Sequence, residues 1–481
     1  KTMVENYPLM VPGTKSKAKP VDVLSPFNRK KIGRAARADM PTVMHALDTA
    51  NNLYRNKAKW LPAWQRIDIL ERTVKIMETK FDYLAIESAR EGGKPLVDSK
   101  HEVSRAIDGV KLCIETLRTQ SGSEIPMGIS RSSTHRMAFT SHEPIGVVVA
   151  VSAFNHPLNL IIHQVGPAIA AGCPVIVKPS EDTPLSCLRF VKILRSAGLP
   201  DEWCQPVITE GRDVSTALVT DSRVGFFSFI GSAPVGWYLR SKLAPGTRCA
   251  LEHGGVAPVI VTKSADLQKA VPLLSKGSFY HAGQVCVSVQ RIFAHYSIAE
   301  KLAKALAKEA KSMKVGDPTK ISTDVGPLIR PREVDRVAEW VEEAKVGGAK
   351  VLSGGYRISK TCYAPTVLFT PPNKARVSIQ EVFGPIVCIY PYRSIKQAIS
   401  RANSLDVAFQ AAVFTSDIDT ATYCYKQLDA AAVMVNDHTA FRVDWMPFAG
   451  LRHSGHGVGG IHHTMQDMQI EKMMVINSQS L

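Results

Sequence analysis

Several things are scarce in this sequence of 481 residues. Aromatic residues make up only 7%. No apolar run approaches the roughly 18–20 residues of a membrane span. The longest, "PIGVVVAVSAF", stops at Asn155 and His156. The nine cysteines contain no CxxC pair, their number is odd, and their spacing is scattered. That pattern argues against a zinc site or disulfide framework and for free thiols in a reducing compartment. Acidic residues are also outnumbered, 43 against 59 basic ones, for a net charge of +16. The basic residues are spread along the whole chain, with no zinc finger, no RNP-like aromatic motif and no basic tail. Nucleic-acid binding is therefore not expected, and the charge suits anionic small molecules instead. Fixed-period repeats and low-complexity stretches are missing too. No signal-peptide pattern opens the chain, so a cytoplasmic location is expected.

What is present is ordinary globular material, 45% hydrophobic and 21% charged. The length suits two or three domains or one large two-lobed unit. Residues 1–35 read as an extended lead-in. From about Met40 to Leu117 the spacing predicts helices, including one continuous stretch "RIDILERTVKIMETKFDYLAIESAREGG" ended by Gly92-Gly93. "HRMAFTSHEPIG" reads as a strand or hairpin reaching outward. From Pro144 strands alternate with helices. "IGVVVAVSAF" has the continuous β-branched character of a strand buried on both faces. "PVIVKPS" and "VGFFSFIG" follow, each leading into a helix. A second α/β run covers about 256–465, and the tail "EKMMVINSQSL" reads as a strand. Alternation of this kind implies α/β architecture with doubly wound parallel sheets.

A thiolate nucleophile needs a base or positive surroundings, and donors for the oxyanion it creates. In "GQVCVSV" Cys286 lies between valines, which alone would suit a buried structural thiol. Glu252 in "LEHGG" sits on a Gly-flanked turn and could be a general base or a solvated loop residue. Asn155 in "SAFNHPLN" follows a buried strand and could donate to an oxyanion or cap the next helix. Lys178, Ser180 and Glu181 in "VKPSEDTP" end another strand. There a cation and a carboxylate can hold ribose hydroxyls, or simply pair at the surface. Gly231 and Ser232 in "FIGSAPVG" suit a pyrophosphate at a helix N-terminus, though a lone Gly-rich turn is a weak signal. Glu381 and Phe383 in "QEVFGP" precede a strand.

Taken in order, FNxPL, KPSE, a strand then GS, LExGG, GQxC, EVFGP and PFxGxxxSG (here "PFAGLRHSG") resemble the aldehyde dehydrogenase superfamily from about residue 20 to the C-terminus. The resemblance implies two Rossmann-like domains and a small β oligomerisation element. Residues 1–119 and 143–252 would bind NAD, 253–465 would form the catalytic domain, and 120–142 with 466–481 would mediate a homodimer or homotetramer. It implies Cys286 as nucleophile, forming a thiohemiacetal and then a thioester, with Asn155 and the Cys286 N–H as oxyanion donors. Glu252 would activate the hydrolytic water. Lys178 and Glu181, with Ser180 between them, would hold the adenine ribose. Gly231 and Ser232 would meet the pyrophosphate, and Glu381 and Phe383 the nicotinamide half. No metal is expected. NAD is expected over NADP, because a 2′-phosphate would meet like charge at Glu181.

Within that superfamily, "VNDHTAFRVDWMPFAG" and "GQVCVSVQR" look most like lactaldehyde and non-phosphorylating glyceraldehyde-3-phosphate dehydrogenases, and "FNHPLN" resembles phosphonoacetaldehyde enzymes. Arg105, His156 and Arg442 are thus the expected contacts for a small hydroxylated or anionic aldehyde. Two departures stand out. Valine occupies position 285, where several phosphate- or phosphonate-using relatives carry arginine. Glycine occupies 459, where many relatives carry glutamate. A CoA-acylating enzyme would share Cys286, but Glu252 favours water as acyl acceptor. A non-catalytic binding or structural relative would be expected to lose Cys286 or Glu252, and neither is lost.

Overall fold

The computed structural model describes residues 4–481. Two parallel sheets organise the chain. The first has six strands in the order Gly455–His456, Arg248–Glu252, Val224–Ile230, Val147–Val151, Val175–Lys178 and Cys204–Pro206, parallel except for the short 455–456 strand. The second has seven, ordered Lys350–Ser353, Thr366–Phe369, Ile386–Tyr392, Val289–His295, Ala257–Val261, Gln410–Phe414 and Ala432–Val435. Only the edge strand Lys350–Ser353 is antiparallel. Central strands pack on both faces, which is why Val147–Ala150 and Val259–Val261 are uninterrupted apolar runs with no exposure. Helix Asn159–Ala171 is buried at all thirteen positions, as its nearly all-apolar sequence requires.

Three local features differ from the sequence expectation. The lead-in is structured: Glu5–Tyr7, Val21–Leu24 and Lys31–Ala35 form a small sheet. The predicted single helix is two, Ala63–Thr79 and Phe81–Gly92, separated at Lys80. Lys80 has φ −104° and ψ 14°, so it leaves the helical ladder for one residue. Gly93, at φ 78°, caps the second helix in the left-handed conformation that favours glycine. The outward hairpin is a three-stranded antiparallel sheet of Glu124–Ile125, Arg136–Pro144 and the tail strand Gln469–Asn477.

The sheets aim their C-terminal ends at one cleft. Strand Val147–Val151 leads to Asn155, Val175–Lys178 to Ser180, Val224–Ile230 to Gly231 and Ser232, and Arg248–Glu252 ends on Glu252. Open α/β sheets place their ligands there.

Candidate active site

The cleft holds a cavity of about 490 Å³, lined among others by Cys286, Glu252, Asn155, Arg105 and Arg442. Its lining runs from Arg105 to Phe448, far apart in sequence, because the loops of both sheets converge here.

Cys286 follows a tightly wound loop. His281, Ala282 and Gly283 all have positive φ, 49°, 55° and 71°. For the two non-glycine residues this costs about 1–2 kcal/mol each. The strain is held by Gln284, which explains the glutamine two residues before the cysteine. Its Oε1 accepts from the Ile329 N–H at 3.0 Å, and its Nε2 donates to the His281 and Pro327 carbonyls, each at 3.2 Å. Gly283 lies so close to the Gly384 carbonyl that a Cβ would overlap it, which locks the cysteine loop against the Glu381–Phe383 loop. The Cys286 carbonyl accepts from the Gly255 N–H at 3.2 Å, while its own N–H bonds to no backbone carbonyl among the described residues. The thiol packs with Val285, Val287, Phe409 and Phe448. Burial pushes its pKa up to about 12, aided by the negative charges of Glu252 and Glu381 and opposed by Arg442. The resting group is therefore a thiol.

Asn155 is buried, and its Nδ2 donates to the Gln284 carbonyl at 3.0 Å. Glu252 has its carboxyl pKa raised by burial and pulled back by Arg442. Gly459 explains its placement, because a Cβ there would overlap Glu252 Oε1. The departure at 459 is thus the space in which the carboxylate rests.

The expected cofactor residues lie along the same cleft. Glu381 Oε1 is buried with no hydrogen-bond partner among the described residues, and burial raises its pKa to about 8. Gly254 makes room for that carboxylate. Phe383, at φ 49°, stands edge-on to Phe154 at 5.8 Å. The Gly231 N–H donates to the Glu252 carbonyl at 3.0 Å, so an anion at this turn is left to Ser232. Ser232 precedes helix Ala233–Arg240 and makes no side-chain cap bond. The orphaned Glu381 oxygen and the uncapped helix start suit a dinucleotide's ribose and phosphate. Lys178 is half-buried, which lowers its pKa. The Ser180 hydroxyl accepts from the Asp182 N–H at 3.3 Å. Glu181 meets a residue that sequence reasoning missed: Arg37, whose Nη2 lies 3.3 Å from Glu181 Oε2. No local signal could have paired residues 144 positions apart.

Of the expected substrate contacts, all three line the cavity. Burial and the cations of Lys94, Arg105 and Arg442 hold the His156 pKa well below its ordinary value, so it meets the cavity as a neutral imidazole. Arg442 stacks on Phe448, with its guanidinium carbon 3.6 Å from the ring centre. Its Nε is shut off from solvent without a partner among the described residues. Arg105 is already engaged, donating from Nε and Nη2 to the two Asp444 oxygens at 3.1 and 2.7 Å. Asp444 also bonds His163 at 2.7 Å. Sequence reasoning missed Asp444, although it stands two residues after Arg442. It also missed the fully buried pair Lys94–Glu102, 2.7 Å apart, in which Glu102 Oε1 accepts from the Leu158 and Asn159 N–H groups at 3.0 Å each. That carboxylate fixes the loop carrying Asn155 and His156 and sits one turn before Arg105 on helix Leu96–Thr119.

Two parallel sheets that present a thiol, a carboxylate and an open helix start to one cleft have the arrangement of a nicotinamide-dependent oxidoreductase. Comparison with known proteins gives the family. The model of the aldehyde dehydrogenase family matches residues 13–474, and the chain belongs to that family. It is 36% identical over 477 residues to the 3-sulfolactaldehyde dehydrogenase of Priestia aryabhattai, covering 99% of each chain. Aldehyde dehydrogenase 21 from Physcomitrella patens, solved with the reaction product succinate, superposes with a TM-score of 0.95 at 31% identity over 100% of both chains. A glyceraldehyde-3-phosphate dehydrogenase from Methanocaldococcus jannaschii, solved with NADP, gives 0.91 at 35% identity, covering 96% of this chain and 100% of that one. The protein is an NAD(P)-dependent aldehyde dehydrogenase with the α/β fold expected from its sequence. No helix among the described residues is long and apolar enough to cross a membrane.

Proposed function

We propose that the protein oxidises a small aldehyde, bearing a hydroxyl or one negative charge, to the carboxylate. The observation that carries this reading is Arg442, a buried guanidinium beside Cys286 and Glu252 with an unpartnered Nε. Glu252 and the Phe448 face offset part of its charge, but the buried Nε has no hydrogen-bond partner among the described residues, and an apolar substrate would leave that donor unsatisfied. An anion or hydroxyl would satisfy it. The sulfolactaldehyde-oxidising relative and the succinate-bound neighbour support the same class. Valine at 285 withholds a further cation that a phosphate would want.

The Cys286 sulfur attacks the aldehyde carbon after losing its proton, for which Glu252, with its raised pKa, is the acceptor. Asn155 exchanges the Gln284 carbonyl for the developing oxyanion, joined by the Cys286 N–H. NAD(P)+, held along the cleft, would supply the hydride acceptor. The apolar wall of Val285, Val287 and Phe448 keeps water away from that transfer. Glu252 then gives the thiol's proton up to solvent and, again a carboxylate, takes a proton from the water that cleaves the thioester and restores the Cys286 sulfur. Lys178 and Glu181 orient the adenine ribose, Ser232 the pyrophosphate, and Glu381 and Phe383 the nicotinamide half. The Glu181 carboxylate favours NAD, while Arg37 beside it leaves NADP usable. A reducing cytoplasm suits nine unpaired thiols.

The test is kinetic. Cys286→Ala should abolish NADH formation and keep NAD binding. Glu252→Gln should release one equivalent of NADH per site, more slowly than the wild type because the thiol has lost its proton acceptor, and then stall. Arg442→Ala should cost about 30- to several-thousand-fold in kcat/KM for succinic semialdehyde, corresponding to roughly 2–5 kcal/mol, and far less for butanal. A wild type that prefers butanal, or that needs added CoA for turnover, overturns the reading.

A further inference from the structure

The substrate end of the cavity contains more positive charge than a single anion needs, and one buried carboxylate that subtracts from it. Arg105 and Arg442 both line the cavity, and each feels the other's charge. Asp444 lies behind them. It takes two hydrogen bonds from Arg105, at 3.1 and 2.7 Å, which occupy the Nε and Nη2 edge of that guanidinium. Its Oδ1 also meets His163 Nε2 at 2.7 Å and Asn159 Nδ2 at 3.4 Å. Asp444 is itself 3% exposed; burial pushes its carboxyl up, but the His163 hydrogen bond and the hydrogen-bonded Arg105 cation outweigh that and hold it far below the usual range, so it stays negative. His163 and His156 stay neutral, since burial and the same arginines lower both. Two fixed positive charges therefore meet one fixed negative charge. The Cys286–Glu252 pair, sharing one proton, adds one further negative charge at the thiol end, facing Arg442.

Resting on the reading that this cavity takes a polar aldehyde, we propose that Asp444 is a positioning residue that sets its charge selectivity. By neutralising one of two arginines it lowers the positive charge offered to the substrate by one, which favours a singly charged carboxylate or sulfonate over a phosphate or phosphonate dianion. The bidentate grip also fixes which edge of Arg105 faces the substrate. Nη1, with no hydrogen bond among the described residues, is the edge left over. At the buried end of the cleft, beside Arg442, a second negative charge finds no further counter-ion and loses part of its hydration.

Sulfoacetaldehyde and phosphonoacetaldehyde separate charge from shape, since both end in a tetrahedral anion but differ by one charge above the second ionisation of the phosphonate. At such a pH the wild type should favour the sulfonate in kcat/KM. Asp444→Asn should shift the phosphonate-to-sulfonate ratio toward phosphonate by about tenfold or more, mainly through KM. Asp444→Glu restores the charge and should keep the wild-type ratio even where turnover falls. A merely structural role would lower both substrates together and leave the ratio unmoved in Asp444→Asn, which overturns the proposal, as does a wild type that prefers the phosphonate. If butanal outperforms both anions, the polar-aldehyde reading fails instead.

Discussion

Cys286 and its neighbours show how much one thiol depends on charges that do not touch it in sequence. Glu252 raises its pKa and Arg442 lowers it, so removing either moves the thiol in a known direction. The thiolate is the reactive form, so alkylation by iodoacetamide in the absence of substrate should quicken as pH rises toward the thiol's pKa of about 12. Glu252→Gln takes away a negative neighbour, lowers that pKa, and should speed alkylation of Cys286 at pH 8 by about three- to tenfold. Arg442→Met takes away a positive one and should slow it by a similar factor. Slower alkylation in Glu252→Gln would mean that the carboxylate draws the proton even in the resting enzyme. At this scale the sequence was informative about identity, because GQxC, LExGG and FNxPL each carry the chemically demanding residue. It was silent about Asp444 and Arg37, whose meaning comes from partners hundreds or scores of positions away.

The tail strand Gln469–Asn477 is mostly exposed and lies at an edge. It pairs along its whole length with Arg136–Pro144 and forms the edge of its sheet. Met473, Met474 and Val475 on it, with Met137 and Phe139 on its partner, are exposed. A nine-residue edge strand with an exposed Met-Met-Val stretch invites pairing or packing with another chain. We expect the protein to be an oligomer through this element. Met474→Lys, which puts a charge into the apolar patch, should shift its mass in analytical ultracentrifugation toward the monomer while the far-UV circular dichroism stays unchanged. An unshifted mass would place the interface elsewhere. Strand and helix positions were largely legible where burial on both faces produced long apolar runs. They failed at the N-terminal sheet, whose short strands carry Lys, Arg and Asp among few apolar residues, and at the one-residue break of Lys80.

At the scale of the whole molecule, the adenine end of the cleft joins a residue from the N-terminal segment to the edge of the first sheet. Backbone bonds from Ala38 to Ile208 and from Glu210 to Ala38 carry Arg37 to Glu181. The pair is partly exposed, with side-chain exposures of 26% and 39%, so its worth as a stabilising contact is small. Its effect on a bound 2′-phosphate is larger, because Arg37 both occupies the repelling carboxylate and offers a cation. Arg37→Ala should lower kcat/KM for NADP about tenfold relative to NAD. Equal losses with both cofactors would assign Arg37 to the scaffold.

The sequence by itself determined the α/β class, the family and the residues able to do the chemistry. Continuous β-branched strands must be buried on both faces, and a thiol, a carboxylate and an amide each sit in a motif that can be read locally. Tertiary structure alone decided the electrostatics: which arginine is spent on Asp444 and which is free, which carboxylate Arg37 holds, and how far burial raises the thiol. Those are properties of distance and dielectric between groups brought together by folding, and no spacing along the chain encodes them.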